Sequence, residues 1–427
     1  MNASTVLSPT SAALATGLLL LTPLALAGLA LINTGLGRSR SAAQAMLGSL
    51  AIASAAILAF VLVGATFAAP AMPVHSFQAF GKTWDWAGKG PWLFSGFPGL
   101  PLRTQVGTLF ELLAVALAAL IPWGSGADRL QIAAGVSVSI FLAAFVFPLL
   151  ANWVWGGGWL STLDTQFGLG AGFIDPGGAA SIHILGGFSA LAVIWITGSR
   201  RGKFPREGLS TAMPGHNAIY VLFGCLMALI GWMGFNLAGA LLWLDAAPEK
   251  LAVVVINTLL AAAAALASSF TVTRLRFGKP DASLCANGWL SGLVASSACA
   301  VTVNPMQALF TGLVAGIATP LLVEVLELAL SIDDPSGAVT AHLVSGLWGL
   351  FAAGVFSHHK GQLIAQLVGI AALLGLVLPI VYILFALLNR FVPFRVEPDG
   401  ERIGMDLHEL GGAAYPEFVV HRDDSYR

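Results

Sequence analysis

Apolar residues run along this chain in long blocks separated by short polar loops, and each block is long enough to cross a bilayer. Blocks of the required length, about 17 to 25 residues, recur near 11–33, 42–68, 105–122, 131–152, 177–197, 218–244, 251–273, 284–304, 307–330, 338–357 and 362–389. The pattern predicts eleven membrane-spanning helices and an all-α polytopic membrane protein. The first block reads as a span and not a cleaved leader, because no basic stretch precedes it and it exceeds the usual leader core. A transmembrane domain over 1–390 and a polar tail over 391–427 are expected.

Loop charges suggest an orientation. One set of loops carries Arg38, Arg40, Arg129, Arg200, Arg201, Lys203, Arg206, Arg274, Arg276 and Lys279, against Lys82, Lys89, Arg103, Lys250 and Lys360 on the other. Basic loops stay cytoplasmic, so the N-terminus is expected outside and the tail, with its remaining arginines, in the cytoplasm. The connection near 69–104 is then external. Its Trp84, Trp86 and Trp92 suit an interfacial cap.

Composition agrees: 57% of residues are hydrophobic and 10% charged, where soluble domains carry about 25% charged residues. A net charge of -1 offers no basic face for nucleic acid. Cys225, Cys285 and Cys299 lie in apolar runs, which argues against a disulfide framework or a thiolate metal site.

One motif occurs twice. Asp175-Pro176-Gly177-Gly178-Ala179 leads to His183 and Gly187, and Asp334-Pro335-Ser336-Gly337-Ala338 leads to His342 and Gly346, in the common pattern D-P-x-G-A-x-x-x-H-[IL]-[LV]-x-G. The copies begin the fifth and tenth predicted spans and therefore enter the membrane from opposite sides. Eight residues of helix cover about 12 Å, so both histidines approach mid-membrane. This marks an inverted five-plus-five repeat, whose substrate sites lie between the halves.

Ionisable groups inside a membrane are costly and by default mark a pathway or a partner. His183 and His342 fit that expectation, although each could simply hydrogen-bond a neighbouring helix. Two imidazoles without nearby carboxylates or thiolates are too few for zinc, which takes about four ligands, and one His per helix does not suit a bis-His haem. No cofactor or metal is expected. A directly bonded pair would couple the two titrations while offering a donor and an acceptor to a small polar molecule or a proton. Trp153, Trp155 and Trp159 surround three glycines just before the first copy. An indole face can hold a cation, while Trp153 and Trp159 read better as interfacial anchors.

Taken in order, Trp155-Gly156-Gly157-Gly158, Asp175 before His183, Gly231-Trp232-Met233-Gly234-Phe235-Asn236, Asn287-Gly288 through Gly292-Leu293-Val294-Ala295, and Asp333-Asp334-Pro335 before His342 resemble the ammonium transporter/Rhesus superfamily across nearly the whole chain. The resemblance implies a homotrimer of eleven-helix protomers in the cell membrane, each with its own pore. It further implies ammonium recruitment at Trp155, support from Asp175, a hydrophobic gate at Phe110 and Phe235, and a lumen lined by His183 and His342. Asp175 could equally act as a helix cap. In such a pore ammonium sheds a proton and crosses as ammonia, which avoids the desolvation cost of a cation.

Departures from the family pattern include Ala114 one turn below Phe110, Glu111 where Gln is frequent, Gly239 where a hydroxyl is usual, and Ala30-Leu31-Ile32-Asn33-Thr34-Gly35-Leu36 in the first helix. A wider, weaker entrance is expected from them. They leave open a low-affinity transporter, a Rhesus-like gas channel or a non-transporting ammonium sensor; a membrane enzyme or redox protein would need a nucleophile, metal or haem. Residues Gly404 to Tyr415 resemble the family's tail, which meets P-II-type regulators, although Leu410 replaces the usual His. The other reading of that stretch is a disordered polar tail.

Overall fold

A backbone inside hydrocarbon must satisfy its own hydrogen bonds, and the apolar blocks do so as helices. The computed structural model describes residues 6–69, 75–205 and 210–416. Its principal helices are α1 (Pro9–Leu36), α2 (Ser39–Ala68), α3 (Leu102–Ser125), α4 (Ile132–Val154), α5 (Ala179–Thr197), α6 (Ala218–Trp243), α7 (Pro248–Phe277), α8 (Ala282–Cys299), α9 (Pro305–Leu328), α10 (Val339–Val355) and α11 (Gln362–Leu388). Among the described residues, nine are long and apolar enough to cross a membrane. The remaining two predicted blocks correspond to α8 and the shorter α10.

Helices packing in lipid lack a hydrophobic drive toward one another and rely on small residues that bring backbones close. Gly28 of α1 and Gly224 of α6 do this reciprocally. A Cβ on either would lie 2.5 or 2.6 Å from the other's carbonyl oxygen.

Between α2 and α3 lies a small antiparallel hairpin, β1 (Ser76–Ala79) and β2 (Lys82–Asp85). Trp84 of β2 and Trp86 just beyond it pack on Trp159 and Trp153 at 5.3 and 5.0 Å between ring centroids. Trp153 also donates to the Trp86 carbonyl at 2.8 Å. Trp153 and Trp159 are thus buried inside a protein cap, not placed as the exposed interfacial anchors expected of them. A hairpin supplied their apolar partners.

The tail folds back onto the helix starts. Asp406 accepts from the backbone N–H of Gln44 at 2.8 Å, and Glu409 from that of Ile132 at 3.0 Å. Carboxylates are stabilised at helix N-termini, where free N–H groups and the helix dipole meet them. Residues 391–416 are therefore tied to the helical body. Arg206, used in the charge count, and the tail's Arg422 and Arg427 lie outside the described residues.

Candidate conduction site

Each motif copy builds the same local structure. The Asp carboxylate caps the coming helix: Asp175 accepts from the N–H groups of Ala179, Ala180 and Ser181 at 2.5, 2.9 and 3.3 Å, and Asp334 from Val339 at 2.8 Å. Next, Gly178 and Gly337 take φ of +86° and +69°, a region that disfavours any residue with a Cβ. The helix then opens with a π-helical turn, Ala179–Ile184 or Val339–Val344, and each turn carries its histidine. Such turns are frequent at functional sites.

The last glycine of each copy joins the halves. A Cβ on Gly187 would meet Leu343 at 2.6 Å, and one on Gly346 would meet Ile184 at 2.7 Å. Ile184 and Leu343 hold the same place in the two copies, so each π turn seats against the other's glycine. This reciprocal contact brings Nδ1 of His183 to 3.3 Å from Nδ1 of His342. One ring donates and the other accepts, which requires complementary tautomers. Neither Nε2 has a hydrogen-bond partner among the described residues, so an uncharged pair presents one acceptor and one donor beyond itself.

A single face of α6 runs past the pair. Trp232, Phe235, Gly239 and Trp243 fall at helical spacing and cover about 16 Å of axis. Trp232 stacks on His183 at 4.9 Å and 4°, fixing that ring's plane. Phe235 meets Phe110 edge-on at 5.3 Å, and Trp243 stacks on Trp155 at 5.6 Å and 8°. Phe110 also touches Trp155 and Trp243. Phe110, Phe235 and Trp155 thus form one ring cluster with Trp243, His183 and His342 form another with Trp232, and α6 carries both. Trp243 was not anticipated, although its place eight residues after Phe235 was a readable signal.

Trp155 is committed on two sides. Its indole N–H donates to the Asp175 carbonyl at 2.7 Å, and one face is covered by Trp243. Phe110 and Phe147 also pack edge-on against Trp155, at 5.1 and 6.4 Å between ring centroids, and part of its surface borders a cavity of about 490 Å³ that Gly107, Thr108 and Glu111 also line. Asp175 acts here as a cap and backbone support. Burial pushes its carboxyl up to about 6, against the backbone hydrogen bonds from Ala180 and Ala179 that lower it.

At Gly239 the expected extra room is absent. Gly239 has no room for a side chain, because a Cβ there would sit 1.9 Å from the Pro176 carbonyl oxygen. Trp243, one turn on, fills the space beside Trp155. Gly107 of α3 faces that indole, with a Cβ predicted by geometry to fall 2.9 Å from its ring.

At the other end, Asp334 also accepts from Ser125 Oγ at 2.8 Å, and Asp333 is wrapped in charge. Arg200 grips Asp333 through Nη2 and Nε at 2.8 and 3.0 Å, while Arg129 lies at 3.7 Å. Burial works against the Asp333 carboxylate, but the hydrogen bonds and charge of Arg200 outweigh it and hold the pKa below the ordinary value. A second cavity of about 490 Å³ opens there, bordered by Asp333, Asp334 and Asn287. Among the described residues, no group of three or more His, Cys, Asp or Glu is placed to hold a metal ion.

Known proteins resemble this chain over most of its length. The family model described as the Ammonium Transporter Family matches residues 13–415. The chain is 32% identical over 415 residues to "Ammonium transporter Amt2" of Archaeoglobus fulgidus, covering 92% of this chain and 85% of that protein. It is 28% identical to "Ammonium transporter" of Bacillus subtilis, covering 91% and 94%. A solved structure described as "Sensor Amt Protein" matches with a TM-score of 0.83 at 25% identity, over 93% of this chain and 98% of that one. Candida albicans Mep2 shares the fold at a TM-score of 0.78 and 22% identity, over 96% and 91%.

Proposed function

The chain belongs to the ammonium transporter family, and from that premise we propose that it is an integral membrane protein that carries ammonium nitrogen across the cell membrane past the aromatic and histidine clusters. The contact between His183 and His342 at 3.3 Å, beneath the Phe110–Phe235 pair, is the observation that carries this reading. Ammonium gathers beside Trp155 and gives up its proton to water in the cavity there. Neutral ammonia passes the phenyl rings, where a desolvated cation would face a penalty of many kcal/mol. The paired imidazoles then offer it one donor and one acceptor. Potassium has no proton to release and is rejected.

The N-terminus lies outside and residues 391–416 in the cytoplasm, consistent with the basic loops. The protomer works as a homotrimer, and its tail is placed to meet a P-II-type regulator. Proteoliposome flux under an ammonium gradient, read as a change of internal pH, tests transport. Robust flux from the wild type, lost or altered in His183→Ala with His342→Ala while the protein stays folded, is the expected result; wild-type flux in that double variant would sink the pore assignment. The likeness to the structure described as a sensor Amt protein favours one second reading, a receptor that binds ammonium without passing it. Wild-type protein that conducts nothing above empty membranes would select it.

A further inference from the structure

Within two turns of a single face, α3 touches both motif copies. Ala118, Ile121 and Ser125 fall at helical spacing and span about 10 Å of axis. Pro122, inside the helix, has no N–H to give the Ala118 carbonyl. A Cβ on Gly186 would lie 3.0 Å from that same oxygen and 2.4 Å from the Ile121 side chain, so α3 seats closely on the first copy three residues after His183.

Ser125 reaches the other copy. Its buried hydroxyl donates to Asp334 Oδ1 at 2.8 Å and lies 3.1 Å from Ser336 Oγ. The second oxygen of Asp334 accepts from the Val339 N–H at 2.8 Å, and Val339 opens the π turn that carries His342 three residues on. Packing leaves this junction little play: a Cβ on Gly124 would meet Asn33 Oδ1 of α1 at 2.1 Å and the Ser336 Cβ at 2.8 Å. In the first copy both Asp175 oxygens accept from backbone N–H groups of their own turn, so the hydroxyl borrowed from another helix belongs to the second copy.

We propose that Ser125 is a positioning residue for the histidine pair. Its hydroxyl fixes the cap of the second copy relative to α3, and α3, seated on the first copy through Ile121, thereby sets the 3.3 Å contact between the two Nδ1 atoms. One helical turn, Ile121 to Ser125, is the spacer between rings that belong to opposite halves of the repeat. A hydrogen bond tolerates only a few tenths of an ångström in donor–acceptor distance, so loosening the spacer uncouples the rings before it disturbs the helices. The purpose of the spacing rests on the transport reading, but the spacing itself is measurable without transport.

The test uses full-length protein isotopically labelled at histidine nitrogen and held in lipid bilayers. Solid-state NMR reads the ring-nitrogen signals of the pair, identified by their absence from the double variant His183→Ala with His342→Ala. Ser125→Ala should shift the pair signals. Ser336→Ala should shift them less, because the bond from Ser125 to Asp334 survives. Ser139→Ala, which removes another buried hydroxyl whose partner is the Val136 carbonyl of its own helix, should leave them in place. Maximal proteoliposome flux of Ser125→Ala should fall about 2- to 10-fold, the size of one hydrogen bond's net contribution, at an unchanged half-saturating ammonium concentration. Pair signals that stay in place in both Ser125→Ala and Ser336→Ala, or that move as far in Ser139→Ala, would overturn the assignment. So would a shifted pair with undiminished maximal flux in a protein that transports. If wild type passes no ammonium while Ser125→Ala still moves the pair, transport fails and the positioning role stands.

Discussion

The two motif copies share a backbone and differ in what surrounds it. Both use an Asp to cap a π turn and a left-handed glycine to enter it. The first copy then ends among indoles and an apolar cavity, with its Asp175 carboxylate directed to backbone N–H groups. The second ends in ion pairs, because the preceding residue is Asp333, gripped by Arg200 and flanked by Arg129. Symmetry of the backbone places two histidines together, and asymmetry of the flanking chemistry makes one end an indole-lined cavity and the other an ion-paired clamp.

The sharpest way to break this comparison is to remove each acid. Asp333→Ala leaves the buried Arg129 without an ion-pair partner among the described residues and Arg200 with only Asp128 at 3.4 Å, which costs about 3 to 5 kcal/mol, whereas Asp175→Ala loses a cap worth about 1 to 2 kcal/mol. Thermal unfolding in detergent reads both, and equal losses would show that the two ends are not chemically distinct.

Acidity should then pull the two carboxylates in opposite directions. The folded pKa of Asp175 is raised, so its contribution is complete below the ordinary value of 3.8 and is lost as pH rises through about 6. Asp333 is held low, so its contribution is present above 3.8 and lost as pH falls toward the depressed value. For Asp175 this amounts to roughly 1 to 3 kcal/mol in all. Unfolding of wild type minus Asp175→Asn, followed from pH 4 to 7, should drift downward; a flat difference would contradict the burial argument.

The smallest effect concerns the shared backbone. Gly178→Ala and Gly337→Ala should each cost about 1 to 2 kcal/mol through positive φ. Gly337 should cost more, because its Cβ would meet Asn287 Nδ2 at 2.1 Å, whereas at Gly178 the obstacle is the movable Ile182 side chain at 2.5 Å. The reverse order, measured by the same melts, would mean that Asn287 moves aside readily.

The chain by itself determined the helices, the inverted repeat and the membership of the aromatic and histidine clusters. Bilayer-length apolar blocks, the spacing from Asp to His and the order of the aromatic motifs are local or periodic properties, and a one-dimensional string carries them. The placement of Trp155 and Asp175 near one end was legible for the same reason. The tertiary structure alone decided the close contact of His183 with His342, the stacking of Trp243 on Trp155, the loss of side-chain room at Gly239, and the burial of Trp153, Trp159 and Glu111. Each of these depends on which surfaces meet across long separations in sequence, and close packing at a few glycines sets those meetings to within an ångström or so.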